Sequence, residues 1–317
     1  MAIARIDHFT KRPNVRINMK RVVIVTGATG FIGRHTLPLL QQLGYEVHAF
    51  SSSKIVSNSV HWHQVDLLNN QSYEKCIQNI QPTHLIHFAW IATHGQFWTS
   101  PLNINWIEAS LRLVRTFVEA GGRRVVVSGT CAEYDWNQEI YSESSSLFRP
   151  ATLYGASKRA LYQALEAYAK QIPFSFAWGY IFYLFGIHED PRRFVPSLIK
   201  SLLQKQRVPC SHGFQIRDFL SVEDVAKAFV VLLDSSVTGG VNIGSGKGIS
   251  LRQVGEAIEQ LTSCKGYLDF GGLAPPKIDP PRLVPDVRRL REELNWAPSD
   301  TLETGLQKAV AWWKIRL

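Results

Sequence analysis

Residues 22–33 read VVIVTGATGFIG, four β-branched apolar residues that run into a turn with glycines at positions 27, 30 and 33. The wholly apolar run predicts a strand buried on both faces of a parallel sheet. Gly27 would permit the tight turn, Gly30 would let a pyrophosphate approach the backbone, and Gly33 would let the next helix pack closely on the strand. That helix would present free N–H groups and the positive end of its dipole to phosphates. We therefore expect a dinucleotide to bind this turn through Gly27, Thr29, Gly30, Phe31, Ile32 and Gly33.

Length and composition indicate a soluble globular protein with two lobes. The chain has 317 residues, and a single core stops growing at ~250–300 residues. It is 45% hydrophobic and 19% charged. Because no apolar run approaches the ~20 residues of a membrane span, we expect no membrane partner. The four cysteines, at 76, 131, 210 and 264, form no CxxC pair, which favours a reducing cytoplasm and argues against a zinc site or a disulfide framework.

The net charge of +9 is concentrated at the start of the chain. Residues 1–21 hold six basic residues against Asp7 alone, so they carry +5 and the remainder carries only +4. A mildly basic remainder suits anionic small molecules and predicts no nucleic-acid groove. The basic segment lacks the apolar core of a signal peptide, and we expect residues 1–19 to be a disordered extension ahead of the fold.

Strand and helix patterns alternate through the first half of the chain. Apolar runs predict strands, and amphipathic patterns predict helices between them, at 31–43, 45–50, 84–89, 107–120 and 123–128. Pro38 is expected to kink the first helix or to remove one of its hydrogen bonds. This alternation predicts an α/β fold, a doubly wound parallel sheet.

The domain organisation follows from where this rhythm stops. We assign residues 20–175 to an NAD(P)-binding domain, with segments near 215–245 returning to it. From about residue 176 the pattern loosens into loops and isolated helices at 222–234 and 250–262. Residues 176–317 are therefore expected to form mainly a smaller α/β substrate-binding lobe.

The end of the second predicted strand bears on the choice of cofactor. An Asp or Glu there would accept a hydrogen bond from the ribose 2′-OH and favour NAD. This chain has Ser51, Ser52, Ser53 and Lys54 instead, and hydroxyls with an ammonium suit a 2′-phosphate. The loop favours NADP, with NAD as the alternative. A plain serine-rich loop is the other interpretation.

A short predicted strand carries His61 and His63 and leads to Asp66. Two histidines at this spacing could ligate a metal, but no third ligand is evident near them, so we favour an exposed strand face and no metal. Asp66, at the strand exit, is a candidate partner for the adenine amine.

The strongest chemical signal lies in the pair Tyr154 and Lys158, which share a face when they stand four apart on a helix. An ammonium near the phenol would lower its pKa from ~10 toward neutrality and give a general acid/base. Ser128 and Thr130 end a predicted strand at the carboxyl edge of the sheet, where Thr130 could hydrogen-bond a substrate carbonyl. An ordinary surface pair is the alternative for Tyr154 and Lys158 taken alone.

The chain resembles the extended short-chain dehydrogenase/reductases, specifically the nucleoside-diphosphate-sugar epimerases, dehydratases and 4-keto reductases, over residues 20–315. The motifs that carry the resemblance are TGATGFIG at 26–33, Asp66-Leu67, His87-Phe88-Ala89, Thr130 four residues before Tyr134, the Tyr154–Lys158 pair, and RDFLSVEDV at 217–225. The resemblance implies a Rossmann-like fold and cofactor contacts at Asp66, Leu67, Phe88, Ala89, Ser128, Tyr154 and Lys158.

The same resemblance implies the roles of the remaining candidates. Thr130, Tyr154 and Lys158 would be catalytic, and Thr130 would also hold the substrate. Arg217 would contact the diphosphate of a nucleoside-diphosphate sugar, with Lys277 and Arg282 as further candidates for that contact. Members of the family commonly dimerise through two helices, so we expect a homodimer.

Departures from the family pattern narrow the reaction. Tyr183 stands where many epimerases have Asn, which puts one substrate contact in doubt. Cys131 and Ala132 replace the acidic pair of dehydratases, which disfavours that activity. The segment SGTCAEYDW at 128–136 is similar to the branch that reduces 4-keto-6-deoxy nucleotide sugars.

These observations predict an NADPH-dependent reductase of a nucleoside-diphosphate 4-keto-6-deoxyhexose, in which hydride reaches C4 and Tyr154 is the general acid. The alternative is a nucleotide-sugar 4-epimerase with tightly held NAD that uses the same three catalytic residues. A non-catalytic NADP-binding sensor is a third interpretation, which the Thr130, Tyr154 and Lys158 set argues against.

Overall fold

The computed structural model of the chain describes residues 20–69, 73–274 and 279–317. The predicted extension at 1–19 and the candidate Lys277 lie outside these described residues.

Strands and helices alternate through the first half of the described chain, and shorter strands follow. The strands are β1 Val22–Thr26, β2 Glu46–Ser51, β3 His61–Gln64, β4 His84–His87, β5 Arg124–Thr130, β6 Ser175–Ile181, β7 Tyr183–Phe185, β8 Val208–Cys210, β9 Ile216–Arg217, β10 Phe219–Ser221, β11 Gly239–Ile243, β12 Ile249–Ser250, β13 Leu268–Phe270 and β14 Arg282–Leu283. The helices are α1 Gly33–Gln42, α2 Glu74–Ile80, α3 Leu102–Glu119, α4 Leu153–Gln171, α5 Phe194–Leu203, α6 Val222–Asp234, α7 Leu251–Thr262, α8 Arg288–Glu292 and α9 Leu302–Lys314, with a 3₁₀ turn at Cys131–Glu133.

Seven strands form one sheet in the order β11-β6-β5-β4-β1-β2-β3, and every neighbouring pair is parallel. From β1 the chain builds outward to β2 and β3, and it then returns to place β4 on the other side of β1. The strand order therefore reverses between β1 and β4, and their carboxyl ends flank the crevice in which such sheets bind ligands. The sheet is the Rossmann-like, doubly wound sheet that the sequence predicts.

Helices cover both faces of this sheet because successive side chains of a buried strand point to opposite sides. Val23 and Val25 of β1 join a core with residues of α1 and α6, such as Leu37 and Phe229. Ile24 points the other way, into a core with α3 and α4. Each fully buried apolar side chain of this size contributes about 1.5–3 kcal/mol relative to exposure. This two-sided burial accounts for the wholly apolar sequence of β1.

The second lobe has its own core, which α5, α7 and α9 form with residues of β8, β10 and β13. Its sheets are small: β12-β9-β14, β13-β8 and β10-β7. The boundary predicted at residue 175 is too early, because β6 lies wholly within the large sheet and runs to Ile181. The segment near 215–245 contributes α6 and β11 to the first lobe.

Element bounds differ from the predicted ones by a few residues. Helix α1 is continuous through Pro38, which is exposed on it. Helix α3 starts earlier than the predicted residue 107, inside a segment, 90–106, that is rich in aromatic residues such as Trp90, Phe97, Trp98 and Trp106. None of the helices in the described ranges is long and apolar enough to cross a bilayer.

Candidate active site

The glycine turn joins β1 to α1 at the carboxyl edge of the sheet. Gly27 has a φ of +64°, and a Cβ there would lie 2.8 Å from the Ala89 amide nitrogen. A Cβ on Gly33 would overlap the Gly27 carbonyl oxygen, so glycine at position 33 lets α1 begin this close to β1. Thr29 and Gly30 are exposed on the turn. The glycines thus give the turn the close-packed backbone that a dinucleotide diphosphate requires, and these residues fit that group.

A basic side chain that the sequence reasoning did not single out lies on this turn. The Arg34 guanidinium donates to the Thr29 carbonyl oxygen at 2.6 Å and to the Gly30 carbonyl oxygen at 3.2 Å. The sequence could have indicated this residue, because Arg34 directly follows the last glycine of the turn. Arg34 therefore adds a positive charge beside the predicted phosphate site.

The ends of β2 and β3 hold the residues predicted to meet the adenosine. Ser51 is buried at the end of β2, and its Oγ accepts a hydrogen bond from the Ser53 N–H at 3.2 Å. Ser52 and Lys54 are exposed in the loop that follows. No carboxylate occupies the end of β2 itself.

Asp66 and Leu67 follow β3 on the same edge of the sheet. The Asp66 side chain is exposed, and its Oδ1 accepts from the Leu68 N–H at 3.0 Å. Leu67 is buried in the core between the sheet and α3. Asp66 thus exposes a carboxylate to solvent near the strand end, whereas the Leu67 side chain packs in the core.

Phe88, Ala89 and Ser128 line the neighbouring strand ends. The half-buried Phe88 ring packs edge-on against Phe229, with ring centroids 5.0 Å apart. Ser128 Oγ donates to the His87 carbonyl oxygen at 3.2 Å, which ties β5 to β4. Phe31 and Ile32 are half-buried in the glycine turn opposite.

Thr130 is held by a reciprocal cap at the end of β5. Its Oγ1 accepts from the Ala132 N–H at 3.2 Å, while its own N–H donates to Glu133 Oε1 at 2.9 Å. Glu133 Oε1 also accepts from Trp178 Nε1 at 3.0 Å, and the side chain is fully buried. Glu133 therefore fixes the strand end that carries Thr130. Glu133 is not among the residues predicted from the sequence, although Thr-x-x-Glu is the spacing of a capping box.

Tyr154 lies in the first turn of α4, which is anchored against this same 3₁₀ turn. Thr152 caps the helix by accepting from the Gly155 N–H at 3.1 Å. A Cβ on Gly155 would overlap the Ala132 carbonyl oxygen, so the glycine lets the helix start touch the turn. The fold thereby brings Tyr154 and Thr130, which are 24 residues apart in the chain, to one place.

Lys158 is buried one turn further along α4. Its Nζ donates to the Ser128 carbonyl oxygen at 2.8 Å and lies 4.0 Å above the Trp90 ring. Burial lowers the pKa of Lys158, and the Glu133 charge opposes that shift. The carbonyl and the ring face hold the cation in an otherwise apolar site.

The prediction that Lys158 lowers the pKa of Tyr154 is wrong for this arrangement. Burial raises the pKa of Tyr154 above its ordinary value, and the Glu133 charge adds to the rise. The lowering influences are a hydrogen bond with Thr130 and the charge of Arg193. The physical reason is that the ammonium of Lys158 is directed to the Ser128 carbonyl oxygen and the Trp90 ring.

Aromatic side chains from the segment 90–106 form a wall beside Tyr154. The Tyr154 ring meets Phe97 edge-on at 5.0 Å and Trp98 edge-on at 5.8 Å. The backbone N–H of Tyr154 donates to the Trp98 carbonyl oxygen at 3.1 Å. Arg193, from the start of the second lobe, lies 4.9 Å from the Phe97 ring centroid. These aromatic side chains therefore shield the Tyr154 phenol, and Arg193 of the second lobe lies close to them.

Arg217 ends β9 in the second lobe and is almost fully buried. It forms an ion pair with Asp279, and its Nη1 donates to the Ile216 carbonyl oxygen at 2.8 Å. Its guanidinium lies 5.4 Å from the Tyr183 ring centroid, and its charge reaches the Cys131 thiol beside Thr130. Arg217 is thus close to the predicted catalytic group. Arg282, also a candidate, is exposed on β14 and donates to the Glu139 carbonyl oxygen at 3.2 Å.

Together, a glycine turn at a topological switch point and a Thr–Tyr–Lys group two strands away define a nicotinamide-dinucleotide-dependent oxidoreductase. The model of the NAD dependent epimerase/dehydratase family matches residues 23–244, and the chain belongs to this family. It is an enzyme of the extended short-chain dehydrogenase/reductase type.

Individual relatives act on or bind nucleotide sugars, according to their names. The chain is 27% identical over 317 residues to UDP-glucuronic acid decarboxylase 1 of Xenopus tropicalis, with 94% of this chain and 73% of the relative covered. It is 25% identical over 317 residues to UDP-glucose 4-epimerase of Rhizobium meliloti, with 92% and 96% covered. The solved structure of MoeE5 in complex with UDP-glucuronic acid and NAD is similar at a TM-score of 0.81 and 28% identity, over 93% of this chain and 99% of that one.

Proposed function

We propose that the protein is an NADPH-dependent reductase of a nucleoside-diphosphate 4-keto-6-deoxyhexose. The observation that carries the proposal is the assembly of Thr130, Tyr154 and Lys158 at the carboxyl end of β5, beside the glycine turn of β1. A carbonyl placed between the Thr130 hydroxyl and the Tyr154 phenol would be held by both.

In this reaction NADPH, when bound, supplies the hydride that reaches C4 of the sugar. Thr130 holds the C4 carbonyl oxygen through its hydroxyl. Tyr154 donates its proton to that oxygen as negative charge develops on it, and a raised pKa keeps the phenol protonated before the reaction. Lys158, held by the Ser128 carbonyl oxygen and the Trp90 ring, would bind the nicotinamide ribose of the cofactor.

Two features support NADP over NAD. The end of β2 carries Ser51 in place of an acid, followed by exposed Ser52, Ser53 and Lys54. The hydroxyls and the ammonium of this loop are donors that suit a 2′-phosphate, and Arg34 adds positive charge at the glycine turn.

A nucleoside-diphosphate sugar is the proposed substrate class because relatives of the chain carry UDP-sugar names and because Arg217 and Arg193 bring cations to the catalytic group. The second candidate function is an NAD-dependent 4-epimerase. The names of UDP-glucose 4-epimerase and of MoeE5 with bound NAD favour it, and it would use the same three residues.

The first experiment measures the cofactor content of the purified protein from its ultraviolet spectrum and then titrates it with NADPH and NADH. We expect protein without bound cofactor that binds NADPH at least tenfold more tightly than NADH. NAD that survives dialysis, with weak NADPH binding, would replace the reductase by the epimerase.

Turnover is then tested with Tyr154→Phe. We expect NADPH oxidation with a 4-keto-6-deoxy nucleotide sugar to fall by about 10²–10⁴-fold, because the proton donor is lost. NADPH affinity should stay within twofold. Unchanged cellular function of this variant would support the non-catalytic sensor and refute an enzyme.

A further inference from the structure

A cluster of metal-ligating side chains lies at the outer edge of the large sheet, away from the active site. Strands β2 and β3 are parallel, and His48 is in register with His61. Alternate residues of a strand share a face, so Glu46 and His48 of β2 meet His61 and His63 of β3 on one side of the sheet. The sequence shows no third metal ligand close to His61 and His63 along the chain, so it predicts only an exposed strand face. The missing partners come from the neighbouring strand.

Three ligand atoms of this cluster converge on one point. The oxygen Glu46 Oε1 lies 3.1 Å from His48 Nε2 and 3.8 Å from His61 Nε2, and the three atoms all lie within 4.8 Å of one another. Tetrahedral zinc with bonds of about 2.0–2.2 Å requires ligand atoms about 3.3 Å apart. His61 is 63% exposed, so its ring is free to turn by the small amount that closes the set.

A second layer of contacts orients the central histidine. His48 Nδ1 lies 2.9 Å from His63 Nε2, and His63 Nδ1 lies 3.3 Å from the Cys76 sulfur on α2. If His48 Nε2 is a ligand, Nδ1 carries the proton and donates it to His63 Nε2, and His63 then carries its own proton on Nδ1, toward the sulfur. Each ring nitrogen has a partner in this assignment. Such a supporting hydrogen bond on the far nitrogen is usual for metal-bound histidine.

The three imidazole rings are also nearly parallel. The His48 centroid lies 4.8 Å from that of His61 and 5.1 Å from that of His63, with interplanar angles of 24° and 16°. Glu46 keeps one oxygen for the cluster, because its Oε2 forms an ion pair with Lys20.

We propose that Glu46, His48 and His61 form a binding site for a divalent transition metal of the zinc class, with His63 as the positioning residue of His48. Two imidazoles and one carboxylate suit Zn²⁺, Co²⁺ or Ni²⁺, whereas Mg²⁺ and Ca²⁺ require oxygen ligands. The site lies at the amino ends of β2 and β3, opposite the carboxyl ends that carry the active site. Its role is therefore to link the short edge strand β3 to the rest of the sheet.

The proposal is tested on the full chain after removal of metal with a chelator. Zinc binding is measured by calorimetry and by competition with a chromophoric indicator. We expect one zinc ion per chain at this site. His61→Asn should weaken its binding at least tenfold, and His63→Gln should weaken it by about 10–100-fold. The control His212→Asn changes a histidine on the second lobe and should leave binding unchanged.

Further measurements separate ligand roles from effects on folding. Lys20→Met should tighten zinc binding, because it removes a cation from a ligand carboxylate. Saturating zinc should raise the Tm of the wild type by about 4 °C at 100 times Kd but should not raise that of His61→Asn. Circular dichroism of His61→Asn, whose side chain is exposed, checks that the variant is folded.

Two results would overturn the proposal. One is zinc affinity and stoichiometry that are the same in the wild type and in His61→Asn. The other is a thiolate-to-cobalt charge-transfer band in the Co²⁺ spectrum, which would make Cys76 a ligand in place of the assigned set. NADPH affinity should be the same with and without zinc, so this test is independent of the proposed enzymatic activity.

Discussion

At the scale of single residues, Glu133 and Lys158 are buried groups of opposite charge next to Thr130 and Tyr154, the residues proposed to be catalytic. Burial raises the pKa of Glu133 and lowers that of Lys158, and each charge opposes the shift of the other. Glu133 Oε2 has no hydrogen-bond partner in the described structure. The fold therefore keeps Glu133 near Lys158, although burial of this carboxylate costs desolvation energy. Burial combined with a charged partner is typical of functional sites with shifted pKa values.

Glu133→Gln should change the pH dependence of turnover. The amide oxygen can still accept from the Thr130 N–H, but the negative charge that raises the pKa of Lys158 is lost. Lys158 should then lose its proton at lower pH, so the alkaline limb of the kcat profile moves to lower pH. At pH 8 we expect kcat to fall roughly tenfold, equivalent to ~1.4 kcal/mol. The measurement is kcat from pH 6 to 10 with saturating NADPH.

The matched control is Glu143→Gln. Glu143 is also largely buried, and it accepts from the Asn242 N–H at 2.7 Å, but its charge does not act on Lys158. This variant should lose stability without a shift of the pH profile. Equal shifts in both variants would mean that Glu133 acts only through packing.

At the scale of elements, the start of α1 depends on the absence of a side chain at Gly33. Gly33→Ala should push the helix away from β1, lower the free energy of unfolding by about 1–3 kcal/mol and weaken NADPH binding at least tenfold. Gly44→Ala, just beyond the other end of the same helix, is the control. Gly44 has a φ of +77° with no atom near its Cβ position, so alanine there costs only the backbone strain of about 1–2 kcal/mol. Urea unfolding and NADPH titration compare the two, and equal NADPH affinities would contradict the assigned role of Gly33.

Strand β4 begins and ends with histidines that the fold keeps neutral. Burial lowers the pKa of His84 to about 4, and the charges of Arg21 and Arg124 add to this. Burial and the Lys158 charge lower the pKa of His87 to about 3, between Thr26 at 2.6 Å and Ser110 at 2.9 Å. Between pH 6.5 and 4 the unfolded chain therefore binds protons that the folded chain does not.

The stabilising contribution of these histidines should be complete above pH 6.5 and should be lost as the pH falls toward 4. Glu189, whose pKa burial raises to about 8, acts in the opposite direction over pH 4.5–8, so variants are compared at each pH. His84→Gln should flatten the decline between pH 6.5 and 4.5 by about 1 kcal/mol, a value reduced for the partial exposure of His84. His212→Gln should keep the wild-type slope. Urea unfolding at pH 7.5, 6.5, 5.5 and 4.5 provides the measurement, and parallel slopes for all three proteins would contradict the prediction.

The sequence predicts the elements of the first lobe well, because β1 is apolar on both faces and Gly44 and Gly121 mark helix ends through positive φ values. It predicts the second lobe poorly, because strands such as β9 and β12 have two residues and exist only through pairing across the lobe. The cluster around His48 could not be predicted for the same reason, because it too depends on the pairing of two strands. Its partners are set by the register of β2 on β3, which spacing along the chain does not contain.

At the scale of the whole molecule, the candidate site lies where the two lobes meet. The first lobe supplies the glycine turn and the Thr130, Tyr154 and Lys158 group, and the second supplies Arg217 and Arg193. Arg217 is buried and already paired with Asp279, so a substrate diphosphate would share a guanidinium that the fold has positioned in advance. A fixed, partly desolvated guanidinium binds an anion more strongly than a mobile surface lysine does.

Arg217→Met should raise KM for the nucleotide sugar by about 10–100-fold, the loss expected for a hydrogen bond to a charged group, with kcat changed by only a few fold. NADPH affinity should be unchanged, because the proposed cofactor contacts lie on the first lobe. The single variant removes the cation that pairs with Asp279 and leaves its carboxylate only the hydrogen bond from Gln215, so the double variant Arg217→Met/Asp279→Asn removes both charges and separates binding from folding. If its KM remains as high as that of Arg217→Met, the guanidinium acts on the substrate. A double variant with wild-type KM would show that Arg217 serves only to neutralise Asp279 and that Arg193 or another cation binds the diphosphate.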